Sequence, residues 1–595
     1  MMRLAVDFGA RFADFVAWDA AGMRIAKLPV GDSAADVLCQ GMDHLGIEAA
    51  ELADLRIVTT APLNALLEKC PAKVALLTTR GFADTLQLGR QNRLTLYDPV
   101  AKSPAPVFLV DPENILEIGG RLDPRGEEVA PLDEAALSRA IATLKDRGIE
   151  AVAICFLFAH VNPAQERRAA EAIGAALPGV TISLSHRVDP APREYERTVS
   201  VLLDAWLAAN VAAEVRAMAE AVAARGFRGE LLFGDGRGVL VPAQAAEDHC
   251  AILLTGAPAV AARAAAALQA PGVTLAVDIG SQSADMSMAR AGDPVAAEQG
   301  TVAGVPLRIP TVDVASVPLG GARRVRQTAR GVRFDGAAGA PTLDDALSVL
   351  GRLPATGAEA GLAGFIEGLT AKEAAQRIVT AAADLMALEL TRYATRRNVD
   401  PTRAELVVMG GNGPLLAAEI AASMGLTRVS LPRAPGAAGA IGLAGAARRA
   451  EARRQVDRPL AALGTADLDD LLTGLETEAA GEAPAVYTFT LAALRQMHPM
   501  PLVLTDRPAS AEDIATIFAT HYRAAYGITP PGPGHLFQIA VHRDHAEALP
   551  PMATLATGQV QGPHLLATGA GPIWVPEGWQ LGSDGMAYHL ERNPA

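Results

Sequence analysis

The chain has 595 residues, half of them apolar and a fifth charged, with a net charge of −14 and 55 glycines. That length exceeds what one hydrophobic core organises and implies about three to five domains or lobes, while the apolar fraction excludes wholesale disorder. The acidic balance leaves no polybasic footprint, so neither nucleic acid nor an anionic membrane is an expected partner.

In chain order, RLAVDFG and FADFVAWD read as two strands joined by a turn, AADVLCQGMDHLG as a helix, and RIVTT and KVALLTT as buried strands. DEAALSRAIATLKDRG places Leu137, Ile141 and Leu144 on one helical face and stops at Gly148. EAVAICFLF follows as an apolar strand, PAQERRAAEAIGAAL as a helix opened by Pro163, and VTISLSHRV as another strand. This rhythm predicts an α/β fold with a largely buried sheet. A long helix is expected from about Glu194 to Arg225, and a new α/β unit from Leu275. Thr370 opens a helix with a T-A-K-E capping box, in which Ile378, Leu385 and Leu388 keep the period to about Asn398. ELVVMGG is then a strand and PLLAAEIAASMG a helix. Residues 450–595 carry more proline, aromatics and histidine with weak periodicity, and read as a smaller, mixed, partly irregular C-terminal domain.

Cys39, Cys70, Cys155 and Cys250 are widely separated, with no CxxC pair, which fits a reduced, cytoplasmic protein. Cys155, inside AVAICFLF, reads as a buried thiol. No stretch reaches the ~20 uninterrupted apolar residues of a membrane span, so the expectation is a soluble protein with no membrane contact.

Residues 4–14, LAVDFGARFAD, return as residues 275–285, LAVDIGSQSAD. Each brings an apolar strand to an aspartate, with a glycine two residues later where the backbone bends. Outward N–H groups in such a turn make an anion cradle, and the aspartate suits a divalent metal held through water. Two matching loops suggest related halves offering hairpins to one polyphosphate. A third segment, VVMGGNGPLLAAEIA (407–421), sets glycines between a strand and a helix, where backbone approaches a ligand closely.

This order resembles the ATPase domain shared by actin, sugar kinases and the 70-kDa heat-shock chaperones: two phosphate loops, then an adenosine loop. Residues 59–98, TTAPLNALLEKCPAKVALLTTRGFADTLQLGRQNRLTLYD, narrow the resemblance, as do SHRVDPAPREYERTVSVLLDAWL (185–207), APTLDDALSVLGRLP (340–354) and PGAAGAIGL (435–443). Together they resemble the hydantoinase A/oxoprolinase family, which includes ATP-binding subunits of acetone and acetophenone carboxylases. HYRAAYG (521–527) is a fainter match. The resemblance implies a two-lobed, actin-like (ribonuclease H-like) α/β ATPase fold with an added C-terminal domain. The expected division is residues 1–190 with the first phosphate loop, 191–450 with the second and the adenosine loop, and 451–595 as accessory domain. It further implies ATP and Mg2+ as cofactors, phosphoryl activation of a cyclic amide or ketone, and a separate B-type partner subunit. By motif matching, Asp7, Gly9 and Asp14 belong to the first loop and Asp278, Gly280, Ser281, Ser283 and Asp285 to the second. Gly410, Gly411 and Gly413 would lie along the adenosine, and Asp7 and Asp278 would serve magnesium and orient the attacking group.

The first loop departs from the family's DxGGTFTD: Ala10 replaces a glycine, and Arg11 and Ala13 replace threonines. Arg11 has three readings: it stabilises transferring phosphoryl charge; it fills the phosphate position itself by pairing with Asp7 or Asp14; or it projects to solvent. Ala322 and Arg323 stand where the family has a GGGS turn, and the stretch before residue 340 is reduced to VRFDGAAGA. The function read from this is an ATP-dependent hydantoinase/oxoprolinase-type hydrolase subunit, with a ketone carboxylase subunit or a non-catalytic homologue as alternatives. His186, Tyr195, Glu196 and Arg197 read as a buried structural cluster, Asp84 and Arg90 as residues that approach substrate by resemblance. His542 and His545 in HRDH read as a solvated loop, since no third metal ligand is nearby.

Overall fold

The computed structural model describes residues 2–92, 97, 105–268, 272–297, 300–494, 496, 499–545, 558–585 and 587–594. Part of the family-like segment 59–98, namely residues 93–96 and 98, lies outside them. The chain forms two compact units from discontinuous pieces: Met1–Pro71, Asn210–Ala446 and Ala548–Ala595 in one, Ala72–Ala209 and Ala447–Glu547 in the other.

The first unit contains the same sheet pattern twice. In the first copy, Met2–Phe8 pairs antiparallel with Phe12–Asp19, which pairs antiparallel with Gly22–Pro29. On its other side Met2–Phe8 is parallel to Leu52–Thr59, which is parallel to Glu230–Gly234. In the second copy, Val273–Ile279 pairs antiparallel with Ala284–Arg290, which pairs antiparallel with Val314–Val317. On its other side Val273–Ile279 is parallel to Glu405–Met409, which is parallel to Arg428–Pro432. The echo in the sequence is therefore an echo in topology. The strand Gly22–Pro29, which the sequence reading passed over, completes the first copy.

Both faces of each sheet are covered, which is why LAVDF and LAVDI are almost wholly apolar. Alternate residues Leu4, Val6 and Phe8 pack with Val37, Leu38 and Met42, while Ala5 packs toward Ala440 and Leu443. In the second copy Leu275, Val277 and Ile279 pack with Ile378, Val379 and Met386. Their opposite face, with Ala276, Val407 and Met409, meets Ala261, Ala264, Ala265 and Ala438. The helices Gly256–Ala266 and Ala438–Ala444 pack closely against each other; a methyl group on Gly442 would overlap the Val260 carbonyl. Alanine and glycine are needed there for backbone proximity. The capping box forms as expected: Thr370 Oγ1 accepts from Glu373 N–H, and Glu373 accepts from Thr370 N–H, opening the helix Ala371–Thr395.

The second unit holds a parallel sheet in the order Thr181–Leu184, Ala151–Cys155, Val74–Thr79, Ile115–Ile118. It also holds an antiparallel sheet of Arg448–Pro459, His535–His545, Ala485–Ala492 and Met500–Leu504, cored with the helices Thr465–Glu478 and Ala511–Tyr526. Residues 451–595 are thus divided between the units: the strand Ala587–Arg592 pairs antiparallel with Arg428–Pro432 of the first.

Two local readings change. SHRV is not strand but a short helix, Ser185–Val188. His542 and His545 lie on a strand rather than a loop, and their odd spacing directs them to opposite faces. The helix Glu194–Ala224 is long and apolar enough to cross a membrane by length and composition, but its apolar window is 78% buried within the protein. Asp204 and Arg197 are buried along it, which marks a core helix.

Candidate nucleotide site

The two hairpins correspond residue for residue in register. Asp7 lies opposite Asp14 and Asp278 opposite Asp285. Gly9 N–H donates to Phe12 O at 3.0 Å, and Gly280 N–H to Ser283 O at 3.0 Å, closing equivalent turns. Neither glycine takes a left-handed backbone, so the bend rests on those hydrogen bonds rather than on positive φ.

Asp7 and Asp278 are brought into one electrostatic site. Burial is the leading cause that pushes Asp7 up to about 8, followed by the charges of Asp14 and Asp278, with Lys27 opposing. Burial also pushes Asp278 up to about 7, followed by Asp285 and Asp14, again with Lys27 opposing. Asp14 and Asp285 are raised by burial as well. Clustered, desolvated carboxylates of this kind resist ionisation until a cation arrives.

Glycines set the depth of both aspartates. A methyl group at Gly439 would overlap Asp7 Oδ2, and one at Gly410 would overlap Asp278 Oδ1. Gly410 also has φ +89°, so no other residue fits it without strain. Of the three glycines assigned to adenosine, Gly410 is thus occupied by packing on the hairpin, and Gly413 packs against Val408. Gly411 faces open space and is exposed.

The surroundings of the hairpins differ. Lys27 lies opposite Asp14 on Gly22–Pro29 and donates to its Oδ1 and, at 3.2 Å, to Gly436 O. The corresponding position in the second copy is Ser316, opposite Asp285, whose hydroxyl donates to Asp285 Oδ1. Ser283 adds a hydrogen bond that favours ionised Asp285. The second loop is braced from residues 320–323: Gly321 N–H donates to Gly280 O (3.1 Å), Ala322 N–H to Ser281 O (2.8 Å) and Arg323 Nε to Gln282 O (2.6 Å). Arg323 therefore supports the loop from outside. In the first loop, the Arg11 carbonyl accepts from Val30 N–H at 2.9 Å.

The Arg11 side chain pairs with neither Asp7 nor Asp14. Its Nη1 donates to Asp344 Oδ2 at 3.3 Å, with the two side chains 49% and 28% exposed. Asp344 packs beside Asn412, whose Nδ2 donates to Gly280 O at 3.1 Å. Lys27 and Asp344 were missed in the sequence: the third strand went unread, and Asp344 sits in a motif taken only as a landmark.

Asp84 and Arg90 belong to the other unit. There Arg90 Nε donates to Glu196 Oε1 at 2.8 Å. Buried Glu166 accepts from Phe156 N–H (2.9 Å) and Ser185 Oγ (2.6 Å), pairs with His186 Nδ1 (2.6 Å) and lies 3.6 Å from Arg197. This is the hydrogen-bonded structural cluster expected from SHRV and REYER.

Among the described residues, no group of three or more His, Cys, Asp or Glu is arranged to hold a metal by itself. Magnesium bound with a nucleotide needs only one or two carboxylates, the rest being phosphate oxygens and water. The crowded, protonation-prone pair Asp7 and Asp278 fits that demand.

A duplicated strand pattern with paired loops at its centre is the arrangement of the two-lobed, actin-like α/β fold. The chain belongs to the hydantoinase/oxoprolinase family: the model of the family's N-terminal region matches residues 3–177, and the hydantoinase/oxoprolinase model matches residues 197–452. It is 29% identical to caprolactamase subunit alpha of Pseudomonas jessenii, over 72% of this chain and 68% of that one. The solved ATP-dependent caprolactamase from Pseudomonas jessenii superposes with a TM-score of 0.80 at 23% identity, covering 100% of both chains. A nucleotide-free acetone carboxylase chain gives 0.81 at 18% identity, covering 99% of both.

Proposed function

We propose that this protein is the ATP-binding subunit of a hydantoinase/oxoprolinase-type hydrolase, which activates a cyclic amide by phosphorylation. The amide oxygen takes the γ-phosphoryl group and ADP leaves. Water adds to the activated carbon, the ring C–N bond breaks, and hydrolysis of the resulting acyl phosphate releases phosphate. The observation that supports this reading is that matching hairpins carry Asp7 and Asp278 at equivalent positions and that the charge of Asp278 acts on Asp7. Asp7 and Asp278 would hold magnesium, which supplies charge neutralisation for the phosphates when bound. The loop amides beyond Gly9 and Gly280, with the hydroxyls of Ser281 and Ser283, would serve the anion. Gly411 leaves room for the adenosine.

A separate B-type subunit is proposed as partner, supported by the relative described as a subunit alpha. A cytoplasmic setting is proposed from the unpaired cysteines. Residues 1–190, 191–450 and 451–595 are proposed as sequence modules, supported by family matches that end at 177 and 452. The test is calorimetric titration with Mg-ATP, then phosphate release from lactams and hydantoins with the partner subunit present. Saturable binding and amide-dependent phosphate release are expected; no binding at millimolar nucleotide overturns the proposal. Phosphate release that needs a ketone and bicarbonate instead assigns the carboxylase branch.

A further inference from the structure

The Arg11–Asp344 pair joins two places that matter to an anion in this cleft. Arg11 stands at the tip of the first loop, where the second loop carries Gln282. Asp344 packs on Gly321 and Asn412, both of which bond to Gly280 O in the second loop. One ion pair thus spans from loop one to the brace of loop two. Arg11 is a charged residue where the family pattern DxGGTFTD has a threonine, and the partner it meets, Asp344, is charged as well.

The geometry suits a releasable contact. The single hydrogen bond is 3.3 Å long, not a bidentate fork, and both side chains are partly exposed. Such pairs are weak, and most guanidinium donors are left for another acceptor. Four carboxyls, Asp7, Asp14, Asp278 and Asp285, cluster around the hairpins, and Lys27 is engaged with Asp14. A phosphate offers Arg11 a more highly charged acceptor than a carboxylate does.

We propose that Asp344 tunes nucleotide affinity by holding Arg11 in a clasp across the phosphate cleft, and that the terminal phosphates of the nucleotide displace Asp344 as the partner of Arg11. The proposal rests on the nucleotide reading above. It makes Arg11 a phosphate ligand kept in waiting and Asp344 its autoinhibitory competitor.

Mg-ATP titration of the full-length protein tests this with D344N, R11Q, the double variant and the exchanged pair R11D/D344R. D344N is expected to tighten binding about two- to fivefold, the range an exposed ion pair supports. R11Q, which gives loop one the residue of loop two, is expected to weaken it about tenfold or more. In the R11Q background D344N changes nothing. The exchanged pair restores the ion pair but not the affinity, whereas a purely structural strut would be rescued by it. Tighter binding by R11Q, or unchanged or weaker binding by D344N, overturns the clasp while the nucleotide reading stands. Absence of binding in the wild type and every variant overturns both. Thermal melting of each variant reports folding, and should D344N not fold, D344S takes its place with the same expectation.

Discussion

At the first hairpin the outer aspartate, Asp14, is held by an ammonium, Lys27; at the second, the equivalent Asp285 is held by the hydroxyls of Ser316 and Ser283. The loop tips differ in the same sense, Arg11 against Gln282, and so do their supports. The second tip is pinned by three bonds from residues 320–323, the first by Val30 and by the reach of Arg11 to Asp344. The duplicated backbone has therefore been kept while its charge was divided unequally. The first copy carries the cations Lys27 and Arg11, and the second carries hydroxyls and Gln282 at the matching positions. A site built this way gains selectivity from asymmetry, because the same ligand meets different chemistry at each end.

The largest effects are expected where the copies still agree. Asp7→Asn and Asp278→Asn should each lower ATP-dependent turnover about a hundred- to a thousandfold, the scale of losing one electrostatic group at a transition state. Folding should not be weakened, since both carboxyls are biased toward their neutral form, which the amide mimics; a thermal melt beside the turnover assay checks this. Were only one of the pair to matter, the matched hairpins would not be working on one ligand. Next come the glycines behind them. Gly410→Ala and Gly439→Ala should each cost about 1–3 kcal/mol in urea unfolding by overpacking. Gly410→Ala should cost more, because of its φ of +89°. Equal losses would mean the backbone strain is relieved.

Where the copies differ, smaller and unequal effects are expected. Lys27→Met leaves Asp14 without its cation, and about 1–2 kcal/mol is expected, discounted because Lys27 is 40% exposed. Ser316→Ala removes one hydroxyl from Asp285, for about 1 kcal/mol. Urea unfolding at pH 7 compares them directly, and a larger loss for Ser316→Ala would reverse the division of charge drawn above.

Much of this architecture was legible because apolar strands bounded by Asp-x-Gly announce a hairpin and where it turns. LAVDFG and LAVDIG gave the duplication, and T-A-K-E gave a helix start to the residue. What stayed hidden depended on tertiary contact. Lys27 lies in GMRIAKLP, whose mixed pattern hides a strand, and only cross-strand register places it on Asp14. The partner of Arg11 is 333 positions away, and no local pattern names it. Gly410 was read for its ligand and proved to be set by Asp278, because a sequence shows that a side chain is missing but not what fills the space. HRDH suggested a loop because polar strands carry little periodic signal.

The smallest effect is also the most direct probe of the shared site. Folded-state values of about 8 for Asp7 and about 7 for Asp278 stand above the ordinary 3.8. Between those limits the folded protein holds protons that the unfolded chain has released. The stability these groups contribute is complete below about pH 4 and is lost as pH rises through 7 and 8. A dication at the pair favours the charged carboxylates and expels those protons. Mg-ATP binding at pH 7 should thus release on the order of one proton, approaching two near pH 6 and vanishing by pH 9. Calorimetric titrations in buffers of different ionisation enthalpy measure the count, and Asp7→Asn should remove the larger part of it at pH 7. A count of zero at every pH would place the metal elsewhere than between the two hairpins, and the comparison of the copies would then describe their folding rather than a common ligand.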